Sequence, residues 1–277
     1  MELNRRPRSV ANLGEWARHC ARQLVSRPRF RALREETRLY TSLAAAREHS
    51  GPKKSLFATA LQRPAHRVMA RLVQKFGHEN FDFIFFLWDG AEFDQDDFAG
   101  CRMISEPGYK WQFFKKYVTP EVCADYEYIF AWDDDIGVDL FSVGDFLDVM
   151  RRNHLQMAQP ALTRSSFYSH SITLQHATPV GRYTDFVEIM VPVFEVAAWS
   201  RFYEIIEPAN RWGWGYDRLA RSLCGFSNLG IVDCQPVRHL KPVVSKKVPG
   251  IYDAMADLLA QHPRSQQAGL VSYALLS

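Results

Sequence analysis

The sequence has no Cys-x-x-Cys pair, and its five cysteines (Cys20, Cys101, Cys123, Cys224, Cys234) are an odd number. That argues against a disulfide framework and a structural zinc site, and for reduced thiols in a cytoplasmic protein. There is no run of about 18 apolar residues, which excludes a transmembrane helix on hydropathy grounds, and the N-terminus lacks the apolar core of a secretory signal. Two nucleotide motifs are also missing. No Gly-x-x-x-x-Gly-Lys-Ser/Thr phosphate loop occurs, and Gly213-x-Gly215 is followed by Arg218 where a dinucleotide fingerprint needs a third small residue. No Gly-x-Ser-x-Gly nucleophile elbow is present. Basic charge is scarce outside the first fifty residues. Residues 1–50 hold 11 Arg and 5 acids, whereas the rest holds 23 Lys and Arg against 26 acids. The body is therefore no nucleic-acid binder by charge.

What is present is a chain of 277 residues, 47% hydrophobic and 13% aromatic, enough for one large core rather than a disordered chain. Residues 1–50 read as a basic helical extension. Leu13, Trp16, Cys20 and Leu24 share one helical face, Pro28 interrupts, and Phe30, Leu33 and Tyr40 suggest a second stripe. Its arginine face is either solvated or a peripheral contact with anionic headgroups, at the inner face of a membrane, or with a protein partner. Gly51-Pro52 marks a boundary. The main domain, 51–277, opens with a strand over 55–61, a helix over 65–76 closed by Gly77, and a strand over 81–88. That β-α-β unit implies parallel strands and an α/β fold. Residues 90–108 read as a polar loop or a broken segment, 109–118 as an aromatic helix, and Pro120 as a helix start. Further on, strands are expected over 157–162, 171–175, 185–194 and 231–234, and helices over 144–153, 196–206, 217–223 and 253–261.

The chemistry gathers in three places. Tyr128 to Trp132 is a buried-strand pattern that runs straight into Asp133-Asp134-Asp135. Three adjacent carboxylates repel one another unless a cation or solvent sits there, and hard divalent ions take carboxylate oxygens. The i, i+2 spacing sends Asp133 and Asp135 to one side of an extended chain, so the pair suits a Mg²⁺ or Mn²⁺ site. A solvated acidic turn is the plainer alternative. Trp212-Gly213-Trp214-Gly215-Tyr216-Asp217 is the second cluster. Its glycines allow close backbone approach, its indoles suit stacking against a sugar ring, and Asp217 is placed to act as general base on a bound hydroxyl; alternatively it only caps the following helix. His239, near the end of a strand, is either a packed core residue or the imidazole that completes a metal shell, which favours Mn²⁺ over Mg²⁺.

Together these features resemble a GT-A-fold nucleotide-sugar glycosyltransferase, with the Trp-Gly-Trp-Gly loop and its acid similar to the acceptor-side motif of β-1,4-galactosyltransferases. The chain more closely resembles an uncharacterised plant and bacterial family filed under lysine-ketoglutarate reductase trans-splicing, through Lys110 to Phe114, Tyr128 to Asp135, Gln159 to Leu162, Ser169-His170, Phe186 to Phe194, Trp212 to Gly215 and Val232-Asp233. These stretches span roughly residues 55–240, and Asp134 stands where that family tends to Glu. The resemblance implies a three-layer, Rossmann-like α/β domain with a mixed, mainly parallel sheet. It implies a UDP- or GDP-linked sugar donor, a glycan or other hydroxyl acceptor, and a metal held by Asp133, Asp135 and His239. Asp89 would read base or ribose, and Lys110 the diphosphate or ribose. His170, Trp212 and Trp214 would line the donor or acceptor sugar. Asp217 would be the base, with Glu188 its rival. The other functions weighed are a metal-dependent phosphoesterase or nucleotidyltransferase, and a protein that keeps nucleotide or glycan binding without turnover.

Overall fold

The computed structural model describes residues 53–277 apart from 91, 92, 94, 95, 243–250 and 264. The expectations for residues 1–50 lie outside the described residues.

β1 (Ser55–Leu61) leads through a 3-10 turn over Arg63–Ala65 into α1 (His66–Phe76), and β2 (Phe81–Leu87) returns beside β1. The two strands pair in parallel along their full length, as the β-α-β pattern predicts. Gly77 ends α1 at φ 75°, a conformation that glycine adopts without a Cβ penalty. Next come β3 (Arg102–Ser105), α2 (Lys110–Tyr117), α3 (Pro120–Cys123) and β4 (Tyr128–Phe130). α3 is capped by Thr119, whose side chain accepts from Val122 N–H. The rest is β5 (Ile136–Gly137), α4 (Val143–Arg152), β6 (Met157–Leu162), β7 (Gly181–Thr184), β8 (Val193–Glu195), α5 (Val196–Glu204), α6 (Tyr216–Leu223), β9 (Leu229–His239), α7 (Ile251–Gln261) and β10 (Ser272–Leu275).

The strands form one sheet in the order β10-β7-β9-β6-β8-β4-β1-β2-β3, with β5 paired to β9. Along that path only β7 and β8 run against the others. The period-two alternation of the strands divides their side chains between two apolar layers. Phe57, Phe81, Phe83, Phe85 and Phe130 pack with α1 and α4; Leu56, Ala58, Ile84, Phe86 and Ile129 pack with α2, α5 and α6. The result is the three-layer α/β architecture, with a mixed, mainly parallel sheet, expected from the sequence. Among the described residues no helix is long and apolar enough to cross a membrane.

Four expectations need correction. Within the polar segment 90–108, Arg102–Ser105 form β3, which pairs in parallel with β2. Of the strand expected over 185–194 only Val193–Glu195 forms. Residues before it make a buried loop whose backbone bonds to scattered partners instead of a ladder: Glu188 N–H donates to Gln159 Oε1 at 2.6 Å and Asp185 N–H to Val271 O at 3.2 Å, while the Asp185 side chain accepts from Val271 N–H at 2.8 Å. The segment 171–175 is a 3-10 turn over Ser171–Thr173. β9 is eleven residues long, against the four expected. β7 escaped notice because it carries an arginine inward. Arg182 is 3% exposed, and its Nε lies 3.0 Å from Asp233 Oδ2. Asp233 also accepts from His176 N–H at 2.9 Å and Thr178 Oγ1 at 2.6 Å. A buried pair with its lone pairs filled is tolerated, but removing one partner strands the other's charge at a cost of about 3–5 kcal/mol. Asp233→Ala is therefore expected to lower stability by about that amount in denaturant titration, and a loss below 1 kcal/mol would contradict the account.

Candidate functional site

The loop after β4 is built by three separate tethers, one for each aspartate. Asp133 N–H donates to Met190 O at 2.8 Å, which lays the chain against the buried 185–192 loop. Asp134 turns inward, where Gln62 N–H, just past the end of β1, donates to its Oδ2 at 2.8 Å. Lys241 Nζ stands 3.5 Å from its other oxygen. Asp135 is delivered by the β5–β9 pairing, in which Ile136 sits opposite His239 and Leu240 N–H donates to Asp135 O. All three carboxylates thus lie at the C-terminal exit of β4 and β1, where open α/β sheets bind ligands.

Asp135 Oδ2 and His239 Nε2 are 3.3 Å apart, both nearly enclosed. His239 Nδ1 donates to Phe167 O at 2.8 Å, which leaves Nε2 as the ring atom that faces the carboxylate. Burial lowers the basicity of this imidazole, but Asp135 outweighs it and holds His239 above its ordinary value. An imidazole whose far nitrogen is tied to a backbone carbonyl, beside a carboxylate, offers two donors of the kind that divalent ions accept. Among the described residues, however, no three His, Cys, Asp or Glu side chains gather in a way that could hold one ion. Asp133 is engaged elsewhere: Lys110 Nζ donates to its Oδ1 at 2.6 Å and to Ile189 O at 2.9 Å. Burial pulls Lys110 below the usual ammonium value against the attraction of Asp133, and lifts Asp133 above the carboxylate range against that of Lys110. Lys110 is the enclosed partner at 13% exposure and Asp133 the accessible one at 41%. The lift on Asp133 is therefore the one solvent screening weakens.

Burial raises Asp134 to about 6, opposed by Lys241 and Gln62. A carboxyl with a raised folded pKa destabilises the fold as it ionises. Its penalty is absent below about pH 4, grows up to pH 6 and stays constant above. Asp134→Asn keeps the acceptor for Gln62 and removes that charge. In the metal-free protein it is expected to leave stability unchanged at pH 4 and to raise it by about 1–2 kcal/mol at pH 7.5, read from the melting temperature at the two pH values. Equal effects at both pH values would contradict the account.

A second cluster lies across the 188–190 segment. Glu188 is 5% exposed; its Oε1 lies 3.4 Å from His170 Nδ1, and its Oε2 has no partner. Asp217, in the first turn of α6, is raised to about 6 by burial and then by the Glu188 charge, against the pull of His170 and Arg218. The loop ahead of α6 is organised by Asn210, which accepts from Gly213 N–H at 3.1 Å and donates to Trp214 O at 2.9 Å. Gly213 has φ +71°, and a Cβ there would run into the indole of the buried Trp111. Trp212 meets the Tyr109 ring at 4.9 Å, edge to face, beside a cavity of about 470 Å³ that Arg211, Asp253 and Asp257 also line.

The structure therefore brings Lys110, Asp133, Asp135 and His239 to one strand-end site, and His170, Glu188 and Asp217 to another, joined through Lys110 and the 188–190 backbone. Trp212 flanks the loop that delivers Asp217, and Trp214 is half-buried within it. Asp89 is exposed in the turn after β2. Sequence reasoning missed Arg218, which touches His170, and Gln159 and Asn210, which hold the loops. Arg218 adjoins Asp217, the one hint available.

A family model described as a protein of unknown function, DUF707, matches residues 31–266. That description assigns no activity, and the trans-splicing label is not part of it. No curated protein matches this chain. Among solved structures, S. aureus TarS 1–349 in complex with UDP-GlcNAc superposes with a TM-score of 0.53 at 11% identity, covering 77% of this chain and 67% of that one. The same TarS region with UDP gives the same score and identity. GalNAc-T7 with UDP, GalNAc and Mn²⁺ superposes with a TM-score of 0.53 at 7% identity, over 76% of this chain and 48% of that one, so this chain spans about half its length. At these identities the likeness shows the fold, the α/β fold of GT-A glycosyltransferases.

Proposed function

We propose that this chain, which belongs to the DUF707 family, is a cytoplasmic, metal-dependent glycosyltransferase that moves a sugar from a nucleoside-diphosphate donor to an acceptor hydroxyl. The observation that carries the reading is the pairing of two sites at one sheet edge. Asp135 faces His239 at 3.3 Å, and a carboxylate cluster with a raised Asp217 lies across the segment that Lys110 ties to Asp133. TarS and GalNAc-T7, with which the fold is shared, were solved with UDP-containing ligands, which favours UDP as the nucleotide.

Asp135 and His239 are the residues that would hold Mn²⁺, since their donor set mixes carboxylate and imidazole. When bound, the ion supplies positive charge to a leaving diphosphate. Lys110 brings a second, fixed positive charge to the same edge, and Asp133 keeps it there. On the other side, Asp217 takes the proton of the acceptor hydroxyl. Its oxygen forms the new bond to the anomeric carbon while the bond to the diphosphate oxygen breaks, and the leaving group keeps the electron pair. Attack opposite the leaving group gives inversion. A carboxylate with a pKa of about 6 is a stronger base than an ordinary one and still ionised at neutral pH.

Thermal shift with UDP, GDP, CMP and ADP, each with and without Mn²⁺, tests the reading. A ligand at 100 times its Kd adds about 2.7 kcal/mol, a rise of roughly 5–10 °C for a protein of this size. The expected result is a Mn²⁺-dependent rise with UDP. Absence of any Mn²⁺-dependent rise would overturn the donor assignment.

A further inference from the structure

A cavity of about 470 Å³ lies between α7 and the loop that runs into α6, and none of Asp135, His239, Glu188 or Asp217 lines it. Both of its walls are built. On one side Asp253, Asp257 and Gln261 recur every fourth residue and so share one face of α7. On the other, Arg211 and Trp212 come from the loop and Tyr109 from the start of α2. The loop is held from behind. Asn210 accepts from Gly213 N–H at 3.1 Å and donates to Trp214 O at 2.9 Å, and Gln112 Nε2 donates to Pro208 O at 3.0 Å. α7 is seated directly on it: Leu258 is 2% exposed, and a Cβ on Gly215 would lie 3.1 Å from Leu258 Cδ2. The aromatic wall is fixed as well. Trp212 meets Tyr109 edge to face at 4.9 Å, and the Arg211 guanidinium stands 5.4 Å from the centre of the Tyr109 ring. A largely preformed concavity of about 300–1,000 Å³ is the usual form of a small-molecule site.

The lining selects the chemistry of the occupant. Carboxylates only accept hydrogen bonds and Arg211 only donates them, so the occupant has to do both around its rim, as a hydroxyl does. The rings of Tyr109 and Trp212 suit the apolar face of a pyranose. Glu207, Asp253 and Asp257 against Arg211 leave the lining net negative, which disfavours phosphates, sulfates and uronates. An ion alone is the wrong size, because among the described residues no three acidic, His or Cys side chains gather in a way that could hold a metal. We infer that this cavity is a saccharide-binding site, for a sugar that carries no negative charge. It therefore excludes a nucleotide-sugar donor, whose diphosphate is anionic. It contains none of the residues that would hold the metal or move the proton, so it stands whether or not the glycosyltransferase reading does.

Saturation-transfer NMR on the full chain, without nucleotide or metal, tests it. The probes are the methyl glycosides of glucose, galactose, mannose and glucosamine, with glucuronate and glucose 6-phosphate as the anionic pair. Transfer is expected to at least one methyl glycoside and to neither anion. Ala254 lines the cavity from α7, so Ala254→Trp fills the space and is expected to abolish that transfer. Asp257 is exposed, so Asp257→Asn is expected to keep the wild-type melting temperature. Loss of a hydrogen bond to a charged group should weaken glycoside binding about tenfold in a titration of that variant. If Ala254→Trp does not fold, Asp257→Asn decides alone. No transfer to any methyl glycoside, equal transfer to an anion, or wild-type glycoside affinity in the folded variants would overturn the inference. Glycoside transfer with these responses, from protein that shows no UDP shift, would overturn the donor reading and support this one.

Discussion

Asp135→Ala is expected to abolish the Mn²⁺-dependent nucleotide shift. The argument starts from the pairing that places it. β5 is only two residues long, yet its register against β9 fixes Asp135 beside His239, and the Phe167 carbonyl fixes which imidazole nitrogen faces the carboxylate. Alanine leaves His239 as the remaining member of that pair. Disturbing even the outer partners of a metal site costs about 10–100-fold in affinity, and loss of a direct ligand costs at least as much. A hundredfold loss removes about 2.3 of the about 2.7 kcal/mol of ligand stabilisation, most of the rise expected for UDP with Mn²⁺. The metal-free protein supplies a separate readout. His239 is held above its ordinary value mainly by Asp135 acting against burial. Stability from that pair is therefore fully present below the unfolded histidine value of about 6.5 and lost as pH rises through the folded one. Without metal, Asp135→Ala should destabilise more at pH 6 than at pH 9. An unchanged UDP shift in Asp135→Ala would remove the metal assignment.

Asp217→Asn carries the second large effect. The amide cannot take a proton, so transfer is expected to fall about 10²–10⁴-fold, while the UDP shift stays intact because Asp217 lies outside the strand-end site. The wild-type rate should climb about tenfold per pH unit up to pH 6 and then level off, as Asp217 ionises near 6. The groups that bear on that limb are Glu188, which raises it, and His170 and Arg218, which lower it. Stability should move the other way. A carboxyl lifted to about 6 weakens the fold as it ionises between pH 4 and pH 6, so Asp217→Asn is expected to melt no lower than the wild type at pH 7.5. Release of UDP from the UDP-sugar that gives the largest thermal shift, in the presence of a methyl glycoside acceptor, measures the rate. Retained activity in Asp217→Asn would transfer the base role to Glu188.

The parts of this molecule written in local pattern were legible in advance. Phe81, Phe83 and Phe85 alternate with Ile84 and Phe86 because a central strand must cover both faces of a sheet, and that alternation survives in the two cores. The helical spacing of Val68, Leu72, Val73 and Phe76 marks α1 in the same way, although Met69 rather than the half-buried Val68 fills the core. Asp133 to Asp135 could be placed at a strand end, and Asp217 at a helix start, from neighbours within a few positions. The elements that escaped are those whose stability comes from a distant partner. β7 holds an arginine that Asp233 and the Ile172 and Leu174 carbonyls make tolerable, and the 185–192 loop resembles a strand because it is buried, yet Gln159 and the Val271 carbonyl satisfy part of its backbone.

The sequence by itself determined the α/β class, the strand-end carboxylates and the aromatic loop that leads into Asp217, because side-chain period and glycine placement act over a few residues. The tertiary structure decided which of three adjacent aspartates does what. Asp134 goes to Gln62, Asp133 to Lys110 and Asp135 to His239; it also placed Arg218 behind His170 and Glu188. Those partners are distant in the chain, and their meeting depends on strand register and crossover connections. Local periodicity does not encode these, since a one-residue slip of β5 against β9 would leave every local pattern intact and carry Asp135 away from its histidine.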